Sequence, residues 1–429
     1  MSRTLKQHTA RVAAALATLS LGFAVGSAHA AGFFLPYQGA AAIGNSLAGS
    51  AALGEDASTV FFNPAGMSRI ESAQIAIAGH YVQPDFNFTN GGSSGTVGLL
   101  ATGGNGGDFA PGVGIPNLYA VMPAGPWRFG LGVSAPWGSK TDYDPTWVGR
   151  FQAGLTDLKT INVNPSVSYR LGNQLSVGLG LNYMQLEAEI QRAQLLPGPS
   201  VGTARFEGKD HGYGYNVGVL WEPSLATRVG VSYRSKVDMM LEGQQTVLTS
   251  GGAVVTSQSF DINAAITMPA IAQVSAVHAI NDRVSLLGDL SYYQWSAIQS
   301  LDVRNRSTGA LSTSLALKYR DTKRISAGLN YRLNDAWMLR GGVAWDQAPV
   351  GSAEDRTANQ PDADRTWISV GARWDIARNH RLDLAYAHVF FAGNPINHTV
   401  ATSTTTTMTL RGSYDNSADI LSLQYTFGW

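Results

Sequence analysis

The chain has 429 residues, of which 14% are charged, 10% aromatic and 48 glycine, and it contains no cysteine. Charged residues fall well below the roughly 25% of soluble domains, and no linker or second composition zone divides the chain, so the set of soluble domains suggested by length alone is excluded. Basic and acidic residues balance at 30 each; nothing points to a nucleic-acid surface, and the missing thiols exclude a disulfide framework and any cysteine nucleophile or metal ligand.

Arg3, Lys6 and Arg11 precede an apolar stretch from Val12 to Val25, and Ala28-His29-Ala30 offers a small-x-small cleavage site before Ala31. This is the layout of a cleaved secretory signal over residues 1–30. A membrane anchor would need about 18 to 20 apolar residues. Removing the signal takes three basic residues, which leaves 27 against 30 acidic and a formal charge of −3.

Residues 31–72 follow neither the helical nor the strand period. Gly44, Gly49, Gly54 and Gly66 break the segment, and Asn63-Pro64 favours a turn and holds the residue before proline extended. Short helical turns are expected, packed as a non-strand plug. Phe33, Phe34, Leu35, Phe61 and Phe62 are its large apolar residues, suited either to a plug core or to the lining of a greasy path.

From residue 73 onward the period is two. Ile161, Val163, Pro165, Val167 and Tyr169 fall on one face, and Asn162, Asn164, Ser166, Ser168 and Arg170 on the other. Apolar outside and polar inside is the pattern of a barrel in lipid. A soluble sandwich also alternates, but here tight turns at Gly172-Asn173, Asn281-Asp282, Asn334-Asp335 and Arg378-Asn379-His380 alternate with long polar loops near 84–115, 137–157, 192–210, 244–262 and 347–363. Short turns on one rim and long loops on the other describe an outer-membrane barrel.

About fourteen strands are expected, near 73–83, 116–123, 127–136, 158–171, 174–191, 211–222, 226–243, 263–279, 283–303, 315–332, 336–346, 364–376, 381–392 and 412–429. The fold class is thus an all-β transmembrane antiparallel barrel over 73–429 with an N-terminal plug in its lumen. Trp127, Tyr183, Tyr215, Trp221, Tyr233, Trp295, Trp337 and Trp374 lie near strand ends, where interfacial aromatic girdles belong.

No catalytic constellation declares itself. Gly44-Asn45-Ser46-Leu47-Ala48 falls one residue short of a nucleophile elbow and lies in the plug. His80, His211, His278, His380, His388 and His398 are scattered without metal-ligand spacing. Gly212-Tyr213-Gly214-Tyr215-Asn216-Val217-Gly218 lacks the spacing and following helix of a dinucleotide loop. Neither a metal nor a cofactor is expected.

The run from Gly39-Ala40-Ala41-Ala42-Ile43-Gly44 to Ala52, followed by Asp56-Ala57-Ser58-Thr59-Val60-Phe61-Phe62-Asn63-Pro64-Ala65-Gly66-Met67, resembles the N-terminal hatch of the FadL/TodX family of outer-membrane transporters, with Asn63-Pro64-Ala65 matching its short hatch motif. Family-like runs recur at Asn164–Tyr169, Tyr233–Val237, Tyr293–Ser296, Arg320–Arg324 and Pro361–Arg365.

The resemblance implies passive uptake of hydrophobic compounds, with long-chain fatty acids ahead of monoaromatic hydrocarbons. It implies capture by outer loops, a lumen pocket, hatch rearrangement and lateral exit through a kinked third strand. Leu195 and Leu196 are candidates in the third outer loop, Arg192 at the end of the fifth strand is a weaker candidate for holding a carboxylate, and Gly130, Gly132 and Pro136 lie at the kink. Arg320, Arg324 and Arg365 could hold a fatty-acid carboxylate, although pairing with Asp321, Asp362 or Asp364 is equally open to them. The expected partners are the substrate, outer-membrane lipid and a barrel-assembly machinery reading the last strand, where Leu421, Leu423, Tyr425, Phe427 and Trp429 share a face. A monomer is expected. The competing reading is a surface adhesin or structural barrel that works through its loops.

Overall fold

The computed structural model describes residues 32–197, 200–403 and 405–429. The signal expected over 1–30 lies outside the described residues. Behind it come four short turns of helix, α1 (Ala40–Gly44), α2 (Ser50–Leu53), α3 (Thr59–Phe62) and a 3₁₀ turn (Pro64–Arg69). Gly49 and Gly54, at φ of 76° and 53°, bracket α2 in the left-handed region that glycine tolerates. These turns are the expected plug, and nearly every residue in them is buried.

Twenty-one strand segments form one sheet. Six staves run as two pieces and Ser94–Gly95 is a short addition beside the last strand, so the wall has fourteen staves. They are β1 (Gln74–Asn90), β2 (Val113–Ala124), β3 (Trp127–Ser134, Gly138–Asp142), β4 (Leu155–Arg170), β5 (Leu175–Leu195), β6 (Val201–Trp221) and β7 (Thr227–Arg234, Val237–Leu248). Then follow β8 (Phe260–Met268, Ile271–Ala279), β9 (Val284–Tyr293, Ser300–Asn305), β10 (Leu311–Ala316, Thr322–Arg332), β11 (Trp337–Asp346), β12 (Arg365–Ala377), β13 (His380–Phe391, Asn394–Ala401) and β14 (Thr407–Gly428). All pairings are antiparallel, and β1 closes on β14 from Gln74↔Gly428 to Asn90↔Gly412. Closure at this seam pairs the backbone groups of the first and last staves with each other.

The alternation sets which way the wall faces. Ile161, Leu179 and Leu181 point outward and are 42%, 46% and 61% exposed, whereas Asn162, Asn164, Ser166 and Ser168 are buried against the plug. The lumen is therefore filled, with hatch apolar residues packed on a largely polar wall. A second apolar cluster, including Phe86, Phe109, Tyr143, Trp147 and Tyr414, closes one side of the outer mouth. There Phe109 stacks on Tyr143 at 4.1 Å and Tyr143 on Trp147 at 3.9 Å.

Two expectations need correction. The strands continue beyond the lipid: β5 and β6 stay paired up to Leu195↔Val201, so most of the loop expected at 192–210 is ladder. Above the lipid the outer face carries Glu187, Glu189, Glu207 and Lys209; the apolar signal ends there although the hydrogen bonding does not. Trp295 is no girdle residue. It sits in a 3₁₀ turn where β9 is broken and is turned fully inward.

Candidate functional site

The upper ends of β2 and β3 separate. They pair from Ala124↔Trp127 to Leu118↔Val133, but Val113–Asn117 continues beside β1 alone. β3 is broken between Ser134 and Gly138, and its second piece pairs only with β4. Pro136, which has no N–H to give to a ladder, lies in the break.

The N-terminal arm occupies the vacant ladder position. Leu35 N–H donates to the Pro136 carbonyl at 2.8 Å, and Gly138 N–H donates to the Phe33 carbonyl at 2.8 Å. Phe33 meets Trp295 edge-on at 4.9 Å, while Phe34 lies 5.1 Å from Trp137 and 5.3 Å from Tyr293. Gly32 N–H donates to Asp362 Oδ2 at 2.6 Å, and the Gln360 side chain donates to the Gly32 carbonyl at 2.5 Å.

Gly130 and Gly132 lie below the break, each in register with β2 and β4. The interruption is at Ala135–Trp137 rather than at these glycines. Their contribution is clearance, since a Cβ on Gly130 would stand 2.4 Å from Met67 Sδ and one on Gly132 would stand 3.1 Å from the Tyr119 ring.

Asn63 ties the hatch to the wall and to itself. Its Nδ2 donates to the Ala51 carbonyl at 2.7 Å and to the Val219 carbonyl of β6 at 3.0 Å. Its Oδ1 accepts from Ala65 N–H at 3.0 Å and so caps the 3₁₀ turn that Pro64 opens. The motif residues thus share one knot of bonds. Gly218 makes room for it, because a Cβ there would lie 1.9 Å from Asn63 Oδ1.

On the short-turn side an ionic latch holds the hatch. Arg340 Nη2 donates to Glu55 Oε2 at 2.8 Å and to Asp383 Oδ1 at 3.2 Å, and Arg381 donates to the Glu55 carbonyl at 2.9 Å. Burial works to raise the Glu55 pKa, but Arg340, with Arg373 and Arg381, more than reverses this and holds it down at about 2. Arg69 pairs with Glu222 elsewhere on the same rim.

The sequence-derived arginines do not converge. Arg324 is buried; Nη2 donates to the Ser46 carbonyl at 2.5 Å, the guanidinium lies 5.4 Å from the Trp367 ring, and Nε and Nη1 have no hydrogen-bond partner among the described residues. Arg365 is buried against Asp362 and lies 4.9 Å from the Phe391 ring. Asp346 stands between these two arginines in the strand register. Arg192 is far above, donating to Thr313 Oγ1 at 2.9 Å. Arg320 is exposed.

Two cavities separate these groups. A small one of about 40 Å³ under the arm is lined by Phe34, Phe61, Phe62, Tyr293, Arg234 and Arg324. An outer chamber of about 800 Å³ is lined by Phe151, Arg192, Leu195, Phe206, Phe260 and Leu301, among others. Leu196 lies outside the chamber lining and is buried.

The sequence profile of the family described as outer membrane protein transport protein (OMPP1/FadL/TodX) matches residues 21–429. The chain belongs to this family. It is 30% identical to outer membrane protein P1 of Haemophilus influenzae over 96% of this chain and 98% of that protein. It is 27% identical to the long-chain fatty acid transport protein of Escherichia coli K12, covering 84% and 88% of the two chains. Its fold is similar to that of a Pseudomonas aeruginosa FadL homologue, with a TM-score of 0.85 at 24% identity over 93% of this chain and all of that one. The Ralstonia pickettii toluene transporter TbuX shares the fold at a TM-score of 0.67 and 21% identity, over 91% and 99% of the chains. Membership of the FadL/TodX family makes this an outer-membrane transporter of hydrophobic compounds and not an enzyme.

Four residues at the family's hatch and arm escape a strand-by-strand reading. Arg234 donates to the Phe61 carbonyl at 2.9 Å and lies 4.3 Å from the Phe61 ring; its place beside Ser232 on the polar face of β7 was the available signal. Trp137 and Trp295 form the arm's aromatic seat, 5.6 Å apart and edge-on, and nothing local marks either as inward. Arg340 pairs with a hatch residue 285 positions earlier, which no spacing rule reaches.

Proposed function

We propose that this transporter takes up long-chain fatty acids by diffusion, capturing them in the outer chamber, passing them beneath the N-terminal arm, and releasing them sideways between β2 and β3 into the bilayer. The observation that carries the reading is Arg324, a buried guanidinium with two nitrogens that have no hydrogen-bond partner among the described residues, on a small cavity under the arm where aromatic side chains are mixed with Ser50, Asn216, Ser232, Arg234, Gln273 and Ser291. A carboxylate accepts from such a donor pair, and the chain finds Phe34, Phe61, Phe62 and Tyr293 around it. The relative named a long-chain fatty acid transport protein supports the same substrate class.

Sideways release follows from solvation. Each methylene kept out of water is worth about 0.8 kcal/mol, so an acyl chain gains nothing from the periplasm and a great deal from lipid. The wall break beside Pro136, closed only by residues 33–35, supports that route. The cavity under the arm holds about three waters at most, so substrate must displace the arm or the phenylalanines to occupy it.

A second reading is uptake of monoaromatic hydrocarbons, favoured by the ring cluster of Phe33, Phe34, Trp137, Tyr293 and Trp295. Equilibrium binding of dodecanoate and of toluene to the purified barrel, each repeated with Arg324→Met, separates the two. Fatty-acid uptake requires saturable dodecanoate binding that weakens about tenfold in the variant while toluene competes poorly. Saturable toluene binding indifferent to Arg324 moves the assignment to aromatics.

A further inference from the structure

Arg234 is the last residue of the lower piece of β7 and projects inward at the break before Val237. It is 7% exposed. In strand register it stands between Asn216 of β6 and Ile271 of β8, neither of which carries charge. One arm of its guanidinium donates to Asn182 Oδ1 on the wall, and the other donates to the hatch, at the Phe61 carbonyl 2.9 Å away. The Phe61 ring lies against the same group at 4.3 Å.

The other buried arginines on the wall have acids to answer them. Arg340 pairs with Glu55 and Asp383, Arg365 pairs with Asp362, and Arg324 faces Asp346 in strand register. Arg234 makes no salt bridge among the described residues; its wall partner is an amide, and Asn182 is in turn bonded to Asn162 and Asn216. A guanidinium taken out of water without a counter-ion is costly, and neutral oxygens recover only part of the loss. What Arg234 lacks is an anion, and it lines the cavity under the arm.

We propose that Arg234 senses the carboxylate of the cargo and couples its arrival to release of the hatch. A carboxylate in the cavity offers the guanidinium fork two charged acceptors, which hold it more strongly than one carbonyl and one amide oxygen. As the fork turns to the head group, the Phe61 carbonyl loses its wall partner. That carbonyl lies in the last turn of α3, where the helix supplies no donor of its own. Asn63, two residues on, carries the tie to β6.

The same movement frees the Phe61 ring, one of the side chains that keep the cavity to about 40 Å³. One contact thus recognises the head group and makes room for the chain behind it. Arg234 is a positioning residue in this role, acting on the hatch through Phe61, and a neutral cargo leaves it where it is. The role presupposes the fatty-acid reading, with Arg324 as the other cation on the cavity.

The test uses the full barrel in a non-ionic detergent with dodecanoate and dodecanol, which match in chain length and differ in charge. Hydrogen exchange is followed by mass spectrometry over residues 56–70. In the wild-type protein saturating dodecanoate should quicken exchange there about tenfold, and dodecanol should leave it unchanged. Equal effects of the two ligands, or no effect of either, overturn the proposal, and this arm of the test needs no variant. Arg234→Gln, with its fold verified by unchanged heat-modifiable mobility, should exchange faster than wild type without ligand, and dodecanoate should add nothing further. Its dodecanoate affinity should fall about tenfold while that for dodecanol holds. Equal loss of both ligands makes Arg234 a structural strut and overturns the proposal. Dodecanoate binding that ignores both Arg234 and Arg324 overturns the fatty-acid reading with it, whereas binding that needs Arg324 but still loosens the hatch in the Arg234→Gln protein overturns the coupling alone.

Discussion

Phe34 stands beside Trp137 as an antiparallel bridge partner, in the ladder position that β2 has vacated. Three residues of the arm thus stand in for a missing length of strand. Their hold is two backbone hydrogen bonds and an aromatic seat, in contrast to the 17-residue β1 that shuts the barrel elsewhere.

Leu35→Pro deletes the donor to the Pro136 carbonyl. One lost hydrogen bond is worth about 1 kcal/mol, which multiplies the fraction of detached arm about fivefold. Efflux of a lipophilic dye from liposomes carrying the variant should rise by that order. Unchanged efflux would mean that the arm does not gate the wall.

The Glu55 latch predicts an acid dependence. Its carboxyl is held at about 2 in the folded protein against an ordinary 4.5. A depressed folded pKa gives stability that is fully present above the ordinary value and is lost as pH falls from about 4.5 towards 2. Amide exchange in α1 to α3 should quicken over that window while β1 and β14 stay protected. Glu55→Gln should lose about 3 kcal/mol of hatch seating at neutral pH and show a shallower acid slope; the wild-type slope in this variant would refute the assignment.

Gly218→Ala and Asn63→Ala should fail in the same way. The added methyl drives Asn63 off its site, and the truncation removes its bonds directly. Each should cost about 1–3 kcal/mol, and because they break one knot the double variant should cost about as much as either alone. Additive losses in hatch protection against limited proteolysis would show that the two contacts are separate.

Trp295→Ala empties the arm's seat beside Phe33. A buried tryptophan truncated to alanine costs about 3–5 kcal/mol, here charged mainly to the arm. Fluorine labels placed at Phe33 and Phe61 should report motion at the first and little at the second. Equal mobilization of both would mean that arm and plug move together.

Much of this was legible in the sequence because lipid enforces a simple rule. Residues 161–170 declare their faces, and the same rule repeated along the chain yields the number of staves. It falls silent where lipid ends, which is why the paired segments Arg192–Leu195 and Val201–Asp210 read as loop. It also fails inside the lumen, where an aromatic such as Trp295 at a broken strand looks like a girdle residue. Asn63-Pro64-Ala65 could be singled out, but its wall partner Val219 could not, since that contact is made across 156 positions.

The wall glycines that touch the hatch have a consequence for biogenesis. Cβ atoms on Gly218, Gly230 and Gly342 would stand 1.9, 2.0 and 2.1 Å from hatch atoms, on three separate staves. A folded hatch fitted this closely around its circumference cannot slide along the axis into a finished cylinder. The hatch must therefore take its final shape inside the wall, either as the sheet wraps around it or by folding in place.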